Sequence, residues 1–177
     1  YLPIDIKLPK QRKHSYLNQA QCHFYFSDQP IETTNKLTQW PSSDLPSLLA
    51  AMPEADNLSW PQPKAEDGFY LIYTSGSTGT AKPVKISHAN IENLHAWYSP
   101  HFAFTSTDQH LLFTSIGFDL TQKNLFAPLL TGGRIICAGQ EYDPSHLAQL
   151  MHKHAITVVN AAPSALYPIF SQVKDKA

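Results

Sequence analysis

A loop rich in glycine and hydroxyl side chains follows an apolar run near the middle of the chain, and this feature constrains the fold most. The apolar run is Phe69–Tyr73, and the loop with its flanks reads YTSGSTGTAKPVK over residues 73–85. A flexible linker would explain the composition of the loop but neither the strand-like segment before it nor the lysines after it. A loop that wraps an anion explains all three features.

The loop carries the groups that bind phosphate. Glycines let backbone N–H groups approach phosphate oxygens closely, hydroxyl groups add donors, and a lysine adds a positive charge. The loop is not a Walker P-loop, because the sixth position counted from Gly76 is Ala81. A simple Ser/Gly turn between a strand and a helix is the alternative that the loop alone leaves open. The candidate phosphate-binding residues are Thr74, Ser75, Gly76, Ser77, Thr78, Gly79 and Lys82.

Apolar runs after residue 67 predict an α/β fold. Continuous runs at 69–73, 111–113, 135–137 and 156–159 are typical of parallel strands buried on both faces. Strands that alternate with helices imply parallel sheets flanked by helices, with right-handed crossovers. Ligands bind beyond the carboxyl ends of such strands. The predicted helices begin near Ser87, Asp119, Asp143 and Pro163, and the second ends at Thr131-Gly132-Gly133.

The first 66 residues have a different pattern. They predict a short helix after Pro9, a strand at Cys22–Phe26 and then a proline-rich connection over 27–66, with at most one short helix around Leu45–Ala51. A connection of this length favours two subdomains. We therefore expect 1–66 to contain the end of a first α/β subdomain plus the connection. Residues 67–177 are then a second α/β subdomain with the phosphate loop and substrate-pocket elements.

Composition and charge argue against several classes of function. A net charge of -1 gives no field that would attract nucleic acid or an anionic membrane. No apolar run approaches the ~20 residues of a membrane span. Cys22 and Cys137 form neither a zinc pattern nor a disulfide framework, which favours the reducing cytoplasm. No metal site is predicted from His146, His152 and His154, because no carboxylate or cysteine shares their spacing.

Five landmarks in order over the whole chain resemble the adenylate-forming enzymes. The loop YTSGSTGTAKPV is similar to their signature Y-T-S-G-[ST]-T-G-x-P-K-G-V. The branch that it resembles most is the adenylation domain of nonribosomal peptide synthetases, as a fragment of the N-terminal large subdomain with incomplete flavodoxin-like subdomains. The other four landmarks are YLPIDIKLPKQR, ISHANI, FDLTQKNLFAPLLTGGRI and ITVVNAAPSAL.

One position departs from the signature. Pro83 replaces the glycine that follows Lys82, and proline has no N–H group to donate. If that N–H normally binds phosphate, this chain binds phosphate more weakly. If the glycine only shapes the turn, little is lost.

The resemblance implies a two-step reaction. An amino-acid carboxylate attacks the α-phosphorus of Mg²⁺-bound ATP, giving aminoacyl-AMP and pyrophosphate, and a phosphopantetheine thiol on a carrier-protein domain then takes the aminoacyl group. Lys82 and Thr78 would be catalytic, within a loop that holds the β- and γ-phosphates. The Mg²⁺ ligands, hinge and lid of the family would lie outside this sequence. We therefore expect a fragment that is inactive alone and works with the remaining adenylation-domain segments and neighbouring synthetase domains.

The same resemblance implies a substrate pocket. Asp119 would pair with the α-ammonium group of the amino acid, because a buried carboxylate needs such a partner, although a helix N-cap is a compatible role. Leu120, Lys123 and Asn160 would face the substrate side chain. Lys123 and Asn160 favour a polar or acidic side chain, unless Lys123 extends to solvent. Two alternative functions stay open: a non-catalytic adenylation-like scaffold, and an acyl- or aryl-CoA ligase, whose substrate has no ammonium group.

Overall fold

The computed structural model describes residues 1–31, 37–52, 61–74, 81–139 and 141–174. The chain divides into two compact units, Tyr1–His88 and Ala89–Ala177. Each unit combines helices with a small sheet or sheets, and parallel pairing occurs in both. The predicted α/β fold class is therefore confirmed.

The first unit contains two helices and two two-stranded sheets in its described part. The helix after Pro9, the strand near Phe24 and the short helix at Leu45–Ala51 were predicted and are confirmed, whereas β2 was not predicted. Strands β1 and β2 pair in parallel, and β3 and β4 pair antiparallel. The elements in chain order are α1 (Lys10–Gln19), β1 (Phe24–Phe26), β2 (Thr38–Trp40), a 3₁₀ turn (Ser42–Asp44), α2 (Leu45–Ala51), β3 (Gly68–Thr74) and β4 (Lys82–Ser87).

Strand β3 is not the parallel strand that its apolar run predicted. It pairs antiparallel with β4. Tyr70 and Ile72 are buried, whereas Phe69, Leu71 and Tyr73 between them are only half-buried. This alternation is typical of an antiparallel strand that buries one face. The run was misleading because rings such as those of Phe69 and Tyr73 count as apolar in a sequence pattern yet tolerate partial exposure.

The second unit is built on a parallel sheet of three strands in the order β6–β5–β7. Its core packs Leu111 of β5 against Leu147 of α5 and Ile169 of α6. The predicted strands and helices of this region are confirmed, each within a few residues of its expected place. The elements are α3 (His88–His101), β5 (Gln109–Leu112), α4 (Asp119–Thr131), β6 (Arg134–Cys137), α5 (Pro144–Lys153), β7 (Val158–Val159) and α6 (Pro163–Lys174).

Local sequence signals set the ends of the helices around this sheet. Helix α4 ends at Gly132, whose φ of 77° lies in the left-handed region that glycine adopts without strain. Asp143 caps α5, because its side chain accepts a 2.9 Å hydrogen bond from the backbone N–H of Ser145. Pro144 then occupies the first turn, where its missing N–H costs nothing.

The strand order places a switch point, where open α/β sheets form their ligand-binding crevice, at the carboxyl edge of the parallel sheet. The connection from β5 to β6 runs in one direction across the sheet, and the connection from β6 to β7 runs back past β5. Right-handed crossovers in opposite directions lie on opposite faces, so α4 and α5 cover different faces. Helix α6 packs against α5. After β5 the chain therefore continues on one face of the sheet, and after β7 it continues on the other face. Ligands of α/β folds bind between two neighbouring strands whose connections diverge in this way.

Candidate functional site

The predicted phosphate loop connects the two strands of a hairpin. Thr74 is the last residue of β3, Lys82 is the first residue of β4, and the two are register partners. Both side chains are exposed. The loop therefore joins two strands rather than a strand and a helix, and α3 begins only at His88. The remaining loop positions lie outside the described residues: Ser75, Gly76, Ser77, Thr78 and Gly79.

Pro83 belongs to the strand ladder of this hairpin. Its register partner is Tyr73, one step from the pair that closes the loop. In the described structure β4 pairs only with β3, so it is an edge strand, where proline is tolerated. This position favours the interpretation in which residue 83 shapes the stem of the loop rather than donating an N–H to phosphate.

Helix α1 holds the base of the hairpin. The rings of Tyr16 and Tyr73 stack with their centroids 3.8 Å apart and their planes within 3° of parallel. The Tyr73 hydroxyl also donates a 3.1 Å hydrogen bond to the backbone carbonyl of Tyr16. Burial raises the pKa of Tyr73, so the hydroxyl stays protonated and able to donate. Because Tyr73 directly precedes Thr74, the stack fixes the strand end from which the loop departs.

Asp119 begins α4 at the crevice of the parallel sheet, and its carboxylate is exposed rather than buried. The N-cap position is occupied by Phe118, so Asp119 lies in the first turn, where an acidic side chain favours the helix dipole. Its Oδ1 atom accepts a 2.7 Å hydrogen bond from the N–H of Leu120. Within the described residues, Asp119 forms no ion pair, so its carboxylate is available to a cation that enters the crevice.

Buried polar side chains of α4 hold the loop that leads to Asp119. Thr121 donates a 2.6 Å hydrogen bond to the carbonyl of Ser115, and its hydroxyl lies 2.7 Å from that of Thr114. Gln122, which is fully buried, donates a 2.6 Å hydrogen bond to the carbonyl of Ile116. These bonds satisfy loop carbonyls and restrain the loop, so the first turn of α4 starts from a fixed point.

Two of the predicted pocket residues meet at Tyr98, a buried residue of α3. The Nζ atom of Lys123 lies 4.7 Å from the centroid of the Tyr98 ring. The Nδ2 atom of Asn160 donates a 3.2 Å hydrogen bond to the Tyr98 hydroxyl. Lys123 is half-buried, and its ammonium group lies over the Tyr98 ring. Leu120, also half-buried, lies almost one turn earlier on α4.

Asn124 connects α4 to the residue that follows β7. Its Nδ2 atom donates a 2.7 Å hydrogen bond to the carbonyl of Asn160. In return, its Oδ1 atom accepts a 2.8 Å hydrogen bond from Nδ2 of Asn160. Both amide hydrogens of Asn160 are therefore used, one by Asn124 and one by Tyr98. This pairing fixes the orientation of the Asn160 side chain.

His95 lies one turn before Tyr98 on α3 and is only 6% exposed. Its ring centroid is 6.3 Å from that of Tyr98. Neither ring nitrogen has a hydrogen-bond partner within the described part of the chain. Burial lowers the pKa of His95, and the positive charge of Lys123 lowers it further, so the imidazole is neutral at pH 7. One nitrogen is then a donor and the other an acceptor.

We call His95, Tyr98, Lys123, Asn124 and Asn160 the α3–α4 polar cluster. The sequence analysis singled out only Lys123 and Asn160 as pocket residues. A signal for His95 was available, since it lies on the same helical stripe as Ile91 and Tyr98, and a polar residue on an apolar stripe is uncommon. Asn124 carried no such local signal, because its role depends on Asn160, which is distant in sequence.

Neither a membrane span nor a metal site is found in the described ranges. No helix there is long and apolar enough to cross a membrane. No group of three or more His, Cys, Asp or Glu side chains is arranged there to hold a metal ion.

The sequence matches the family model of the AMP-binding enzyme over residues 1–177. The chain belongs to the AMP-binding enzyme family. The resemblance to adenylate-forming enzymes is thereby confirmed. In this AMP-binding chain, the loop that resembles the signature of adenylate-forming enzymes lies between β3 and β4.

Individual relatives of this AMP-binding chain include peptide synthetases. Pyochelin synthetase PchF of Pseudomonas aeruginosa is 31% identical over 177 residues, which covers 93% of this chain and 9% of that relative. The solved structure of the nonribosomal peptide synthetase FmoA3, bound to α-methyl-L-serine-AMP, has a TM-score of 0.86 at 23% identity and covers 100% of this chain and 20% of FmoA3.

The fold is also similar to that of a solved structure with a different description. A protein of Rhodopseudomonas palustris described as a long-chain fatty-acid CoA ligase has a TM-score of 0.75 at 18% identity, with coverage of 97% of this chain and 46% of that protein. At these identities the solved structures establish the fold alone. The chemical class of the substrate therefore depends on the residues of this chain.

Proposed function

We propose that this chain supplies the phosphate loop and part of the substrate site of an adenylation domain that activates an amino acid. The observation that carries the proposal is the Thr74–Lys82 stem, which holds the signature loop of an AMP-binding chain at the end of a braced hairpin. The similarity to peptide synthetases, one of which binds an aminoacyl-AMP analogue, supports an amino acid as substrate.

The chemical task of the loop is to balance phosphate charge. When the amino-acid carboxylate attacks the α-phosphorus of ATP, the bond to the bridging oxygen breaks and pyrophosphate leaves with its negative charge. Backbone N–H and hydroxyl groups of residues 74–79, together with the Lys82 ammonium group, would hold the β- and γ-phosphates. Thr78 and Lys82 are the proposed catalytic residues. Mg²⁺ carried by the ATP would add further positive charge at these phosphates.

The amino acid would bind at the crevice of the parallel sheet. Asp119 would meet the α-ammonium group, since its carboxylate is exposed in the first turn of α4 and forms no ion pair in the described structure. Leu120, Lys123 and Asn160 would contact the substrate side chain. A phosphopantetheine thiol of a carrier-protein domain, next to further synthetase domains, would then accept the aminoacyl group.

Acyl-CoA ligase activity is the second candidate, and the fold likeness to the Rhodopseudomonas protein favours it. Such an enzyme binds a carboxylic acid without an amine. It would have no need of a carboxylate at Asp119, so this residue separates the two functions. A non-catalytic scaffold has less support, because Pro83 lies in the strand ladder rather than in the loop.

The test is ATP–pyrophosphate exchange by the full-length protein that contains this chain. We expect exchange that depends on one amino acid, or on a small group of similar ones, and that falls roughly 100-fold with the 2-hydroxy acid of the same side chain, which lacks the ammonium group. Exchange with fatty or aryl acids alone would support the CoA ligase. If none of the carboxylic acids supports exchange, the result would favour the non-catalytic scaffold.

A further inference from the structure

We propose that Thr121 and Gln122 are positioning residues for amine recognition, because they hold the loop before α4 in the conformation that presents Asp119. They act through Asp119 and contact no substrate themselves. This inference rests on the proposed function and deepens it, since it assigns the selectivity for an amino acid over an acid without an amine to two buried side chains.

The backbone sets the position of the Asp119 carboxylate. This carboxylate is exposed, and its hydrogen-bond donor in the described structure is the N–H of Leu120, the next residue. It forms no ion pair with any described side chain. A hydrogen bond between neighbouring residues moves with the backbone that carries both. The loop of residues 114–118, which leads into α4, therefore decides where the carboxylate lies.

Apolar burial contributes little to the anchoring of this loop. Ile116 is 45% exposed and Phe118 is 64% exposed. The free energy gained from an apolar side chain is roughly proportional to the area that it removes from water, so these two residues supply only part of what they could. The conformation of the loop therefore depends on its hydrogen bonds.

Thr121 provides the first of these bonds. Its side chain is only 2% exposed, and its hydroxyl donates a 2.6 Å hydrogen bond to the carbonyl of Ser115. A hydroxyl has a single hydrogen, so in the 2.7 Å contact between Thr114 and Thr121 the donor is Thr114. The Ser115 carbonyl also accepts a 3.1 Å hydrogen bond from the N–H of Phe118. Thr121 thus fixes both the start of the loop and the turn that ends beside Asp119.

Gln122 provides the second bond. Its side chain is fully buried, and its Nε2 atom donates a 2.6 Å hydrogen bond to the carbonyl of Ile116. Burial of an amide is unfavourable unless the amide is hydrogen-bonded, so this contact is retained whenever the helix is folded. Gln122 therefore restrains a loop carbonyl that lies three residues before Asp119.

These restraints affect a substrate only if it has an amine. An ammonium group gains from Asp119 when the carboxylate is already in place, and a displacement of about 1 Å in such a contact can lower a rate by up to roughly 100-fold. A 2-hydroxy acid has no positive charge for Asp119 to balance, so its rate depends little on the position of the carboxylate. The loop bonds should therefore control the ratio between the two substrates.

The experiment measures this ratio in the full-length protein that contains the chain. The quantity is kcat/KM of ATP–pyrophosphate exchange for the preferred amino acid, divided by that for the 2-hydroxy acid of the same side chain. Thr121→Val keeps the shape of the side chain without its hydroxyl, and Gln122→Met keeps the length without the amide. From a ratio of roughly 100, each variant should lower it by about tenfold. Thr121→Ser keeps the hydroxyl and should retain the ratio, and none of these variants should change the KM for ATP.

Thr131→Val is the matched control. The Thr131 hydroxyl donates a 3.0 Å hydrogen bond to the carbonyl of Ala127 near the other end of α4. The variant therefore removes a bond between a threonine hydroxyl and a backbone carbonyl from the same helix, but not from the loop before Asp119. It should leave the ratio unchanged.

The ratio distinguishes positioning from a general structural defect, because a folding defect lowers exchange with both substrates alike. Gln122→Met tests the inference even if Thr121→Val does not fold. The positioning role would be overturned, while amino-acid activation stands, if the variants leave the ratio at its original value or if Thr131→Val lowers it equally. A ratio close to one in the unaltered protein would overturn the proposed amino-acid substrate and this inference together.

Discussion

Two aspartates at helix starts have different environments in this chain. Asp143 is an N-cap whose carboxylate accepts the N–H of Ser145, so its side chain is used for local structure. Asp119 lies in the first turn of α4, and the N–H of Leu120 is its hydrogen-bond donor in the described structure. The first contributes to stability, and the second is available for binding. A comparison of the two residues separates these roles.

Replacement of Asp119 should impair activity more than stability. For Asp119→Ala we expect kcat/KM of amino-acid-dependent exchange to fall roughly 100-fold, because the α-ammonium group loses its counter-charge. The free energy of unfolding should fall by less than about 1 kcal/mol, the size of a first-turn dipole interaction. Asp143→Ala should show the reverse, with a loss of about 1 kcal/mol in chemical denaturation and unchanged exchange. Equal effects of the two variants on exchange would refute the role of Asp119.

At the scale of elements, the Tyr16–Tyr73 stack joins α1 to β3. The hydrogen bond between them uses the hydroxyl of Tyr73 and the backbone of Tyr16, so the Tyr16 hydroxyl is not needed for it. The Tyr16 side chain acts through its ring. Removal of the ring should therefore loosen the strand end that precedes Thr74, whereas removal of the hydroxyl should not.

The variant Tyr16→Leu should lower the free energy of unfolding by about 1 kcal/mol, the size of an aromatic pair interaction. It should also raise the KM for ATP several-fold, because the loop departs from a less rigid stem. Tyr16→Phe keeps the ring and should match the unaltered protein in both measurements. Chemical denaturation and exchange at varied ATP concentration provide the two readouts. If Tyr16→Leu behaves like Tyr16→Phe, the stack does not support the loop.

Most elements could be predicted from local sequence, and the exceptions have physical reasons. Helix α2 was placed at Leu45–Ala51, as observed, because prolines and polar residues bound a short apolar segment. Strand β2 has only three residues, too few to show a period. Strand β4 follows a loop and contains Pro83, which argues against a strand unless that strand lies at an edge. The antiparallel pairing of β3 with β4 could not be predicted from the sequence of either strand alone.

Two sources of information supported the prediction of the candidate site. The loop at 74–82 stands out because glycines, hydroxyl groups and a lysine are grouped there, whereas the pocket residues were assigned from the resemblance to adenylation domains. Those pocket residues are Asp119, Leu120, Lys123 and Asn160. His95, Tyr98 and Asn124 take part through contacts between α3, α4 and the end of β7, whose residues are up to 62 positions apart. Such contacts depend on how the helices pack on the sheet, and no short sequence pattern records this.

At the scale of the whole molecule, each compact unit carries one part of the proposed chemistry. The first unit holds the stem of the phosphate loop, and the second holds the α3–α4 polar cluster. The proposed function requires that both parts serve one reaction. The central claim is that the loop after β3 binds the phosphates of ATP with the help of Lys82.

The most direct test compares two lysines of the same strand. Lys82 and Lys85 are both exposed on β4, but only Lys82 borders the loop, and Lys85 donates a 3.3 Å hydrogen bond to the carbonyl of Glu66. We expect Lys82→Gln to lower ATP–pyrophosphate exchange by on the order of 100-fold, with the thermal unfolding midpoint unchanged, since a charge that stabilises the departing pyrophosphate is lost. Lys85→Gln should keep full exchange. Equal exchange by the two variants would contradict the assignment of this loop to ATP.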